Sequence, residues 1–142
     1  MSRDRLVAVT GANGYIGSHV VRVLLERGFQ VRAGVRLPHT EERVQHLQEM
    51  PIAKGSLEVL ATDVLDSSDV NALLDGCTDL IHTAATVMIR SSNPEEKILS
   101  PSVDGTMNVV SALELHPSVR NIIHTSSTAA IRPMKWELSL IH

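Results

Sequence analysis

The sequence has 142 residues, of which 43% are hydrophobic and only 2% aromatic, enough for one aliphatic core and too few for two domains. A formal net charge of −3 gives no reason to expect nucleic acid or an anionic membrane as a partner. Cys77 is the only cysteine, which excludes an internal disulfide and favours a reducing compartment; with no secretory h-region and no membrane-length apolar run, the expected location is cytoplasmic.

Leu6-Val-Ala-Val-Thr10 is a short apolar run ahead of a glycine and reads as a buried strand. Across residues 14–27 the apolar Ile16, Val20, Val23 and Leu24 recur at helical spacing, and Gly28 stands where a C-cap favours positive φ. Residues 30–35 alternate around Val31, Ala33 and Val35 as a second strand, and residues 40–50 form a charged helix stopped by Pro51. A third strand is expected over residues 57–64. Ser67, Ser68 and Asp69 then offer cap-type side chains for a short helix to Asp75, closed by Gly76. Residues 79–84 read as the fourth strand.

Asn93, Pro94, Glu95 and Glu96 open a helix with a cap, a first-position proline and carboxylates against the helix dipole. Pro101 should interrupt or restart it, with Ser100 as a local cap, before it runs on to Leu115. Residues 121–125 give a fifth strand. Strands alternating with helices predict a parallel sheet with right-handed crossovers. The expected fold is α/β, a doubly wound (Rossmann) sheet of five strands with flanking helices, with residues 1–142 forming one domain.

Gly11-Ala-Asn-Gly14-Tyr-Ile-Gly17 joins the first strand to the first helix. In such a turn the first glycine makes the bend and the second lets the backbone approach a pyrophosphate. The third allows close packing of helix on strand, and the helix N-terminus offers free N–H groups to the phosphates. The end of the second strand selects the cofactor. A carboxylate there would bond the ribose 2′-hydroxyl of NAD, whereas Arg36 suits the 2′-phosphate of NADP, and no acid follows it before Glu41. NADP is therefore expected over NAD.

The Gly-x-x-Gly-x-x-Gly spacing, with Val9 and Thr10 before it and Asn13, Tyr15 and Ile16 inside, resembles the extended short-chain dehydrogenase/reductase family, part of the NAD-dependent epimerase/dehydratase superfamily. Pro101-Ser-Val103-Asp-Gly105-Thr106-Met-Asn108-Val109 is similar to the corresponding helix of its dihydroflavonol reductase and cinnamoyl-CoA reductase branch. The resemblance spans residues 5–132. It implies that Asp63 and Val64 contact the adenine, and that Thr83, Ala84 and Ala85, which follow His82, line the cofactor. It also implies that Thr125 and Ser126 adjoin the cofactor and that Ser127 is the catalytic serine. The activity so implied is an NADP-dependent oxidoreductase acting on CH–OH groups, reducing a small aldehyde, ketone or thioester.

One departure bears on that activity. The family's general acid is the tyrosine of a Tyr-x-x-x-Lys motif beyond the serine, but the single tyrosine here is Tyr15 and no lysine follows Lys135. The expectation is a C-terminally incomplete Rossmann domain without its substrate-binding part. Such a chain should be inactive alone and prone to self-association through its exposed fifth-strand edge. A second reading is a non-catalytic NADP-binding sensor or partner module. The runner-up among enzymes is a fragment of a sugar-nucleotide epimerase or dehydratase, or of a hydroxysteroid dehydrogenase, which share the glycine turn; the proline-containing helix argues mildly against these. The seven histidines are scattered, and His82 with His124 lack a third ligand at metal spacing. Nothing marks Cys77 as a nucleophile, and Arg3, Arg5, Arg22 and Arg27 read as solvated charge.

Overall fold

A computed structural model describes residues 5–36, 41–52, 55–85, 93 and 95–127. The elements in chain order are β1 (Leu6–Thr10), α1 (Tyr15–Glu26), β2 (Gln30–Val35), α2 (Glu41–Gln48), β3 (Ser56–Ala61), α3 (Ser67–Leu74) and β4 (Asp79–His82), then a π-helical turn (Glu95–Leu99), α4 (Ser100–Leu115) and β5 (Asn121–His124). The five strands form one parallel sheet in the order β3-β2-β1-β4-β5. The order reverses between β1 and β4, so a crevice is expected beyond their carboxyl ends.

Alternate residues of β1 feed opposite layers. Val7 and Val9 pack with Val21 and Leu25 of α1 and Leu47 of α2, whereas Ala8 packs with Val70 and Leu73 of α3 and Val109 and Ala112 of α4. A strand covered on both faces has no polar side to offer, which is why this segment is an unbroken aliphatic run. Gly28 and Gly76 close their helices with φ of +83° and +69°. No helix among the described residues is long and apolar enough to cross a membrane.

Several boundaries differ from the sequence expectation, and at β3, β4 and α3 the reason is a polar group that captures the backbone. β3 stops at Ala61 rather than residue 64, since the Asp63 N–H donates to Asp69 Oδ2 at 2.9 Å and the Asp66 N–H to the Asp63 carbonyl at 2.9 Å. β4 stops at His82 rather than residue 84, because the next two amides turn onto the Thr10 hydroxyl. Asp66, not Ser67 to Asp69, caps α3, accepting from the Ser68 N–H at 2.8 Å. Ser100 is the first residue of α4 rather than its cap. Pro101 sits in the first turn, after π-helical backbone. Asn93 does act as a cap, its Oδ1 accepting from the Glu96 N–H at 3.3 Å, while Pro94 and Thr40 lie outside the described residues.

Arg5 is not the solvated charge read from the sequence. Its guanidinium makes a two-pronged pair with the buried Asp79 carboxylate, with Nε donating to Oδ2 at 2.9 Å, and lies over the Phe29 ring. Thr78 Oγ1 and Asn121 Nδ2 donate to the same carboxylate at 2.6 and 2.7 Å. The amino ends of β1, β4 and β5 are thus held by one anion. Among the described residues β5 is the last strand of the sheet on its side, with Ile122 and Ile123 52% and 60% exposed.

Burial pushes the Asp79 carboxyl up, but the hydrogen bonds from Arg5, Thr78 and Asn121 outweigh it and hold the group below the ordinary carboxylate range. A lowered folded value contributes stability above the unfolded pKa, and that contribution is lost as pH falls through the folded one. Asp79→Ala is expected to lower unfolding free energy by about 1–3 kcal/mol, because it strands part-buried donors. It should also remove part of the acid-side stability loss below about pH 4; urea denaturation across pH measures both.

Candidate functional site

The glycine turn is set by contact rather than by flexibility alone. Gly11 has φ of +63°, and a Cβ on it would lie 2.9 Å from both N and Cα of Ala84. A Cβ on Gly17 would lie 2.2 Å from the Gly11 carbonyl oxygen, so α1 can start here only with glycine at that position. The Gly14 N–H donates to the Gly11 carbonyl at 3.0 Å, and Gly14 supplies no side-chain cap to α1. No side chain of the N-cap residue therefore meets the first-turn N–H groups of α1. Asn13 is half-buried, whereas Tyr15 and Ile16 stand exposed on the first turn.

Beside this turn the Thr10 hydroxyl gathers three groups. Oγ1 accepts from the Thr83 and Ala84 N–H groups, both at 3.1 Å, and lies 2.7 Å from His82 Nδ1. A hydroxyl has two lone pairs and one proton. With both lone pairs taken, its proton must go to Nδ1, which fixes the neutral His82 ring with hydrogen on Nε2. Burial, and then the neighbouring His124, push the His82 pKa down to about 4, in keeping with that neutral ring. Thr83 Oγ1 donates back to the Thr10 carbonyl at 2.6 Å.

Thr10, His82 and His124 occupy one row across β1, β4 and β5. The two imidazoles stack at 5.2 Å with planes 19° apart, and Nδ1 of His82 is already committed to Thr10. Among the described residues no group of three His, Cys, Asp or Glu side chains gathers around them.

The Ala12 N–H donates to the Gly34 carbonyl at 3.1 Å and ties the end of β2 to the glycine turn. Arg36, two residues on, is exposed at that strand end. Asp63 is half-buried and uses Oδ1 to accept from the Leu65 N–H at 3.0 Å. Val64 is positioned by α4: a Cβ on Gly105 would lie 3.0 Å from its Cγ2, and Asn108 Nδ2 donates to its carbonyl at 3.0 Å. Ala84 is half-buried against Gly11, and Ala85 is exposed beyond it. The Thr125 N–H donates to the His82 carbonyl at 3.0 Å, and Ser126 and Ser127 continue past β5, exposed on the same carboxyl side of the sheet.

The structure thus brings the glycine turn, Thr83, Ala84 and the β2 end into direct contact, with Val64 and Ser127 on flanking strand ends. Thr10, His82 and Asn108 carry positioning roles that the sequence reading does not assign. Asn108 had a local signal, lying three residues after Gly105 on the same helix face; Thr10 and His82 stood beside the quoted motifs, with nothing local to pair them. The Cys77 thiol donates to the Leu73 carbonyl at 3.2 Å, and burial pushes its pKa up to about 11, so it is held as the inert thiol. A cleft of about 150 Å³ lined by Val7, Phe29, Ile81 and Ile123 opens beside Arg5 and Asp79, at the opposite end of the strands from the crevice.

The sequence model of the 3-beta hydroxysteroid dehydrogenase/isomerase family matches residues 8–140. Tetraketide alpha-pyrone reductase 1 of Arabidopsis thaliana is 36% identical over 126 residues, 89% of this chain and 39% of that protein. The bifunctional dihydroflavonol 4-reductase/flavanone 4-reductase of Malus domestica is 34% identical over 130 residues, 92% of this chain and 37% of that protein. Among solved structures, yeast methylglyoxal/isovaleraldehyde reductase complexed with NADPH superposes with a TM-score of 0.70 at 26% identity, covering 86% of this chain and 37% of that one. The chain therefore spans under two-fifths of the length of these relatives.

The folded pKa of His82 lies below the unfolded value near 6.5, so the unfolded chain takes up the proton first. Stability from this site is complete above about pH 6.5 and is lost as pH falls toward 4. The loss is expected to reach at most about 3 kcal/mol. Chemical denaturation between pH 7 and 4 measures it, and His82→Asn should flatten the slope in that window.

Proposed function

We propose that this chain, which belongs to the 3-beta hydroxysteroid dehydrogenase/isomerase family, is the NADP(H)-binding part of an oxidoreductase that reduces a carbonyl (an aldehyde, ketone or thioester) by hydride transfer. The observation that carries the reading is the glycine turn pressed between α1 and Ala84, with Arg36 at the neighbouring strand end. The reductase relatives and the NADPH-bound neighbour support it. The residues present fit the cofactor. Free first-turn amides of α1 suit a pyrophosphate, Arg36 suits a 2′-phosphate, and Val64 beside Asp63 offers an apolar surface at the β3 end.

Bound NADPH would supply the hydride. The chain's own part is to hold and shield that cofactor along the carboxyl ends of β1, β2 and β4. Ser127, past β5, is assigned to hydrogen-bond the substrate oxygen as negative charge develops on it. The proton for that oxygen has no matching donor in the sequence, since Tyr15 stands in the glycine turn and no Tyr-x-x-x-Lys follows Ser127.

Two measurements test these assignments. NADP should bind the chain more tightly than NAD, and Arg36→Ala should weaken NADP by about tenfold while leaving NAD unchanged. Equal affinity for the two cofactors, or an Arg36→Ala variant with wild-type NADP affinity, removes the role of Arg36. The 142-residue chain supplied with NADPH and a panel of aldehydes and ketones should show no carbonyl-dependent absorbance loss at the reduced-nicotinamide band. Turnover there would exclude the non-catalytic reading.

A further inference from the structure

We infer that His82 is a positioning residue for the dinucleotide crevice, acting through the Thr10 hydroxyl on the backbone of Thr83 and Ala84; this rests on the NADP-binding reading above. His82 is buried, at 4% exposure, and reaches the crevice only through its neighbours. Its Nδ1 takes the single Thr10 proton at 2.7 Å, which frees both lone pairs of Oγ1 for the Thr83 and Ala84 amides at 3.1 Å. Without an acceptor at that point the hydroxyl proton must turn elsewhere, and a rotated hydroxyl carries a lone pair away from one amide.

The two amides are not equivalent. Thr83 keeps a second tie, its own Oγ1 donating to the Thr10 carbonyl at 2.6 Å. Ala84 has the Thr10 hydroxyl as its amide acceptor and is the residue packed on Gly11, where even one added carbon would sit 2.9 Å from its N and Cα. A shift of Ala84 therefore moves the wall that shapes the glycine turn. The stack on His124, at 5.2 Å, keeps the His82 ring in the plane that presents Nδ1 to Thr10.

The test compares ring and acceptor separately. His82→Phe keeps a flat ring but no acceptor, whereas His82→Asn places an oxygen one bond from Cγ, where Nδ1 stands. NADPH titration of the 142-residue chain, followed by fluorescence, should show about tenfold weaker binding for His82→Phe and binding within about twofold of wild type for His82→Asn. Thr10→Val, which removes the hydroxyl itself, should weaken binding at least as much as His82→Phe, and the double variant should lose nothing beyond Thr10→Val, because both act on one hydroxyl. Amide exchange at Ala84 should quicken in His82→Phe and Thr10→Val and stay slow in His82→Asn. If His82→Phe does not fold, as judged by urea unfolding, His82→Leu takes its place.

Wild-type affinity in the variant without an acceptor, equal losses for the Asn and Phe variants, or additive losses in the double variant would overturn the inference. A wild-type chain that binds no NADPH would instead overturn the NADP-binding reading.

Discussion

At the carboxyl end of β1 three stretches of backbone meet with no room for a side chain between them. Gly17 approaches the Gly11 carbonyl and Gly11 approaches Ala84, so that any Cβ at either glycine would overlap main-chain atoms. Because α1 starts against this contact, its first amides stand beside the crevice. Because β4 bends to meet it, Thr83 and Ala84 leave the sheet at this level. The geometry of the glycine turn follows from that one close approach, and the other candidate-site residues are arranged around it.

Polar fastenings hold β1 and β4 at both ends. At the amino end Asp79 collects Arg5, Thr78 and Asn121; at the carboxyl end the Thr10 hydroxyl collects His82, Thr83 and Ala84. Each is a buried acceptor whose capacity is filled, so each rewards one register and penalises a slip. β5 is tied to the same two points, through Asn121 below and the Thr125 amide on the His82 carbonyl above. An edge strand with exposed isoleucines thus takes its position from the polar ends of its neighbour rather than from burial.

The far side of the crevice depends on α4. Pro101 restarts the helix after a π-helical turn, and from there Gly105 and Asn108 face Val64, one by leaving space and the other by holding its carbonyl. A motif that resembles one reductase branch is therefore, in physical terms, a device for placing the end of β3. Arg36 is located by the Ala12–Gly34 bond, which carries the β2 end to the glycine turn. The two places proposed to select and to hold the cofactor are joined by a single backbone hydrogen bond.

The strand and helix order, the parallel α/β class and the glycine turn were legible in the sequence because each rests on local periodicity or on spacing within a few residues. Gly28, Gly76 and Asn93 fell where helix ends require them for the same reason. Element ends were less legible: Asp66 rather than Ser67 caps α3, and β4 yields two residues to Thr10, since a competing polar partner decides where pairing stops. Arg5 looked like solvated charge and Thr10 like one more strand residue. Their partners lie 74 and 72 positions away, and only the parallel register of β1 on β4 brings them together. Sequence spacing determines what a segment can form. Which side chain is charged, neutral or committed to a hydrogen bond is decided when the packed sheet excludes water and leaves one partner within reach.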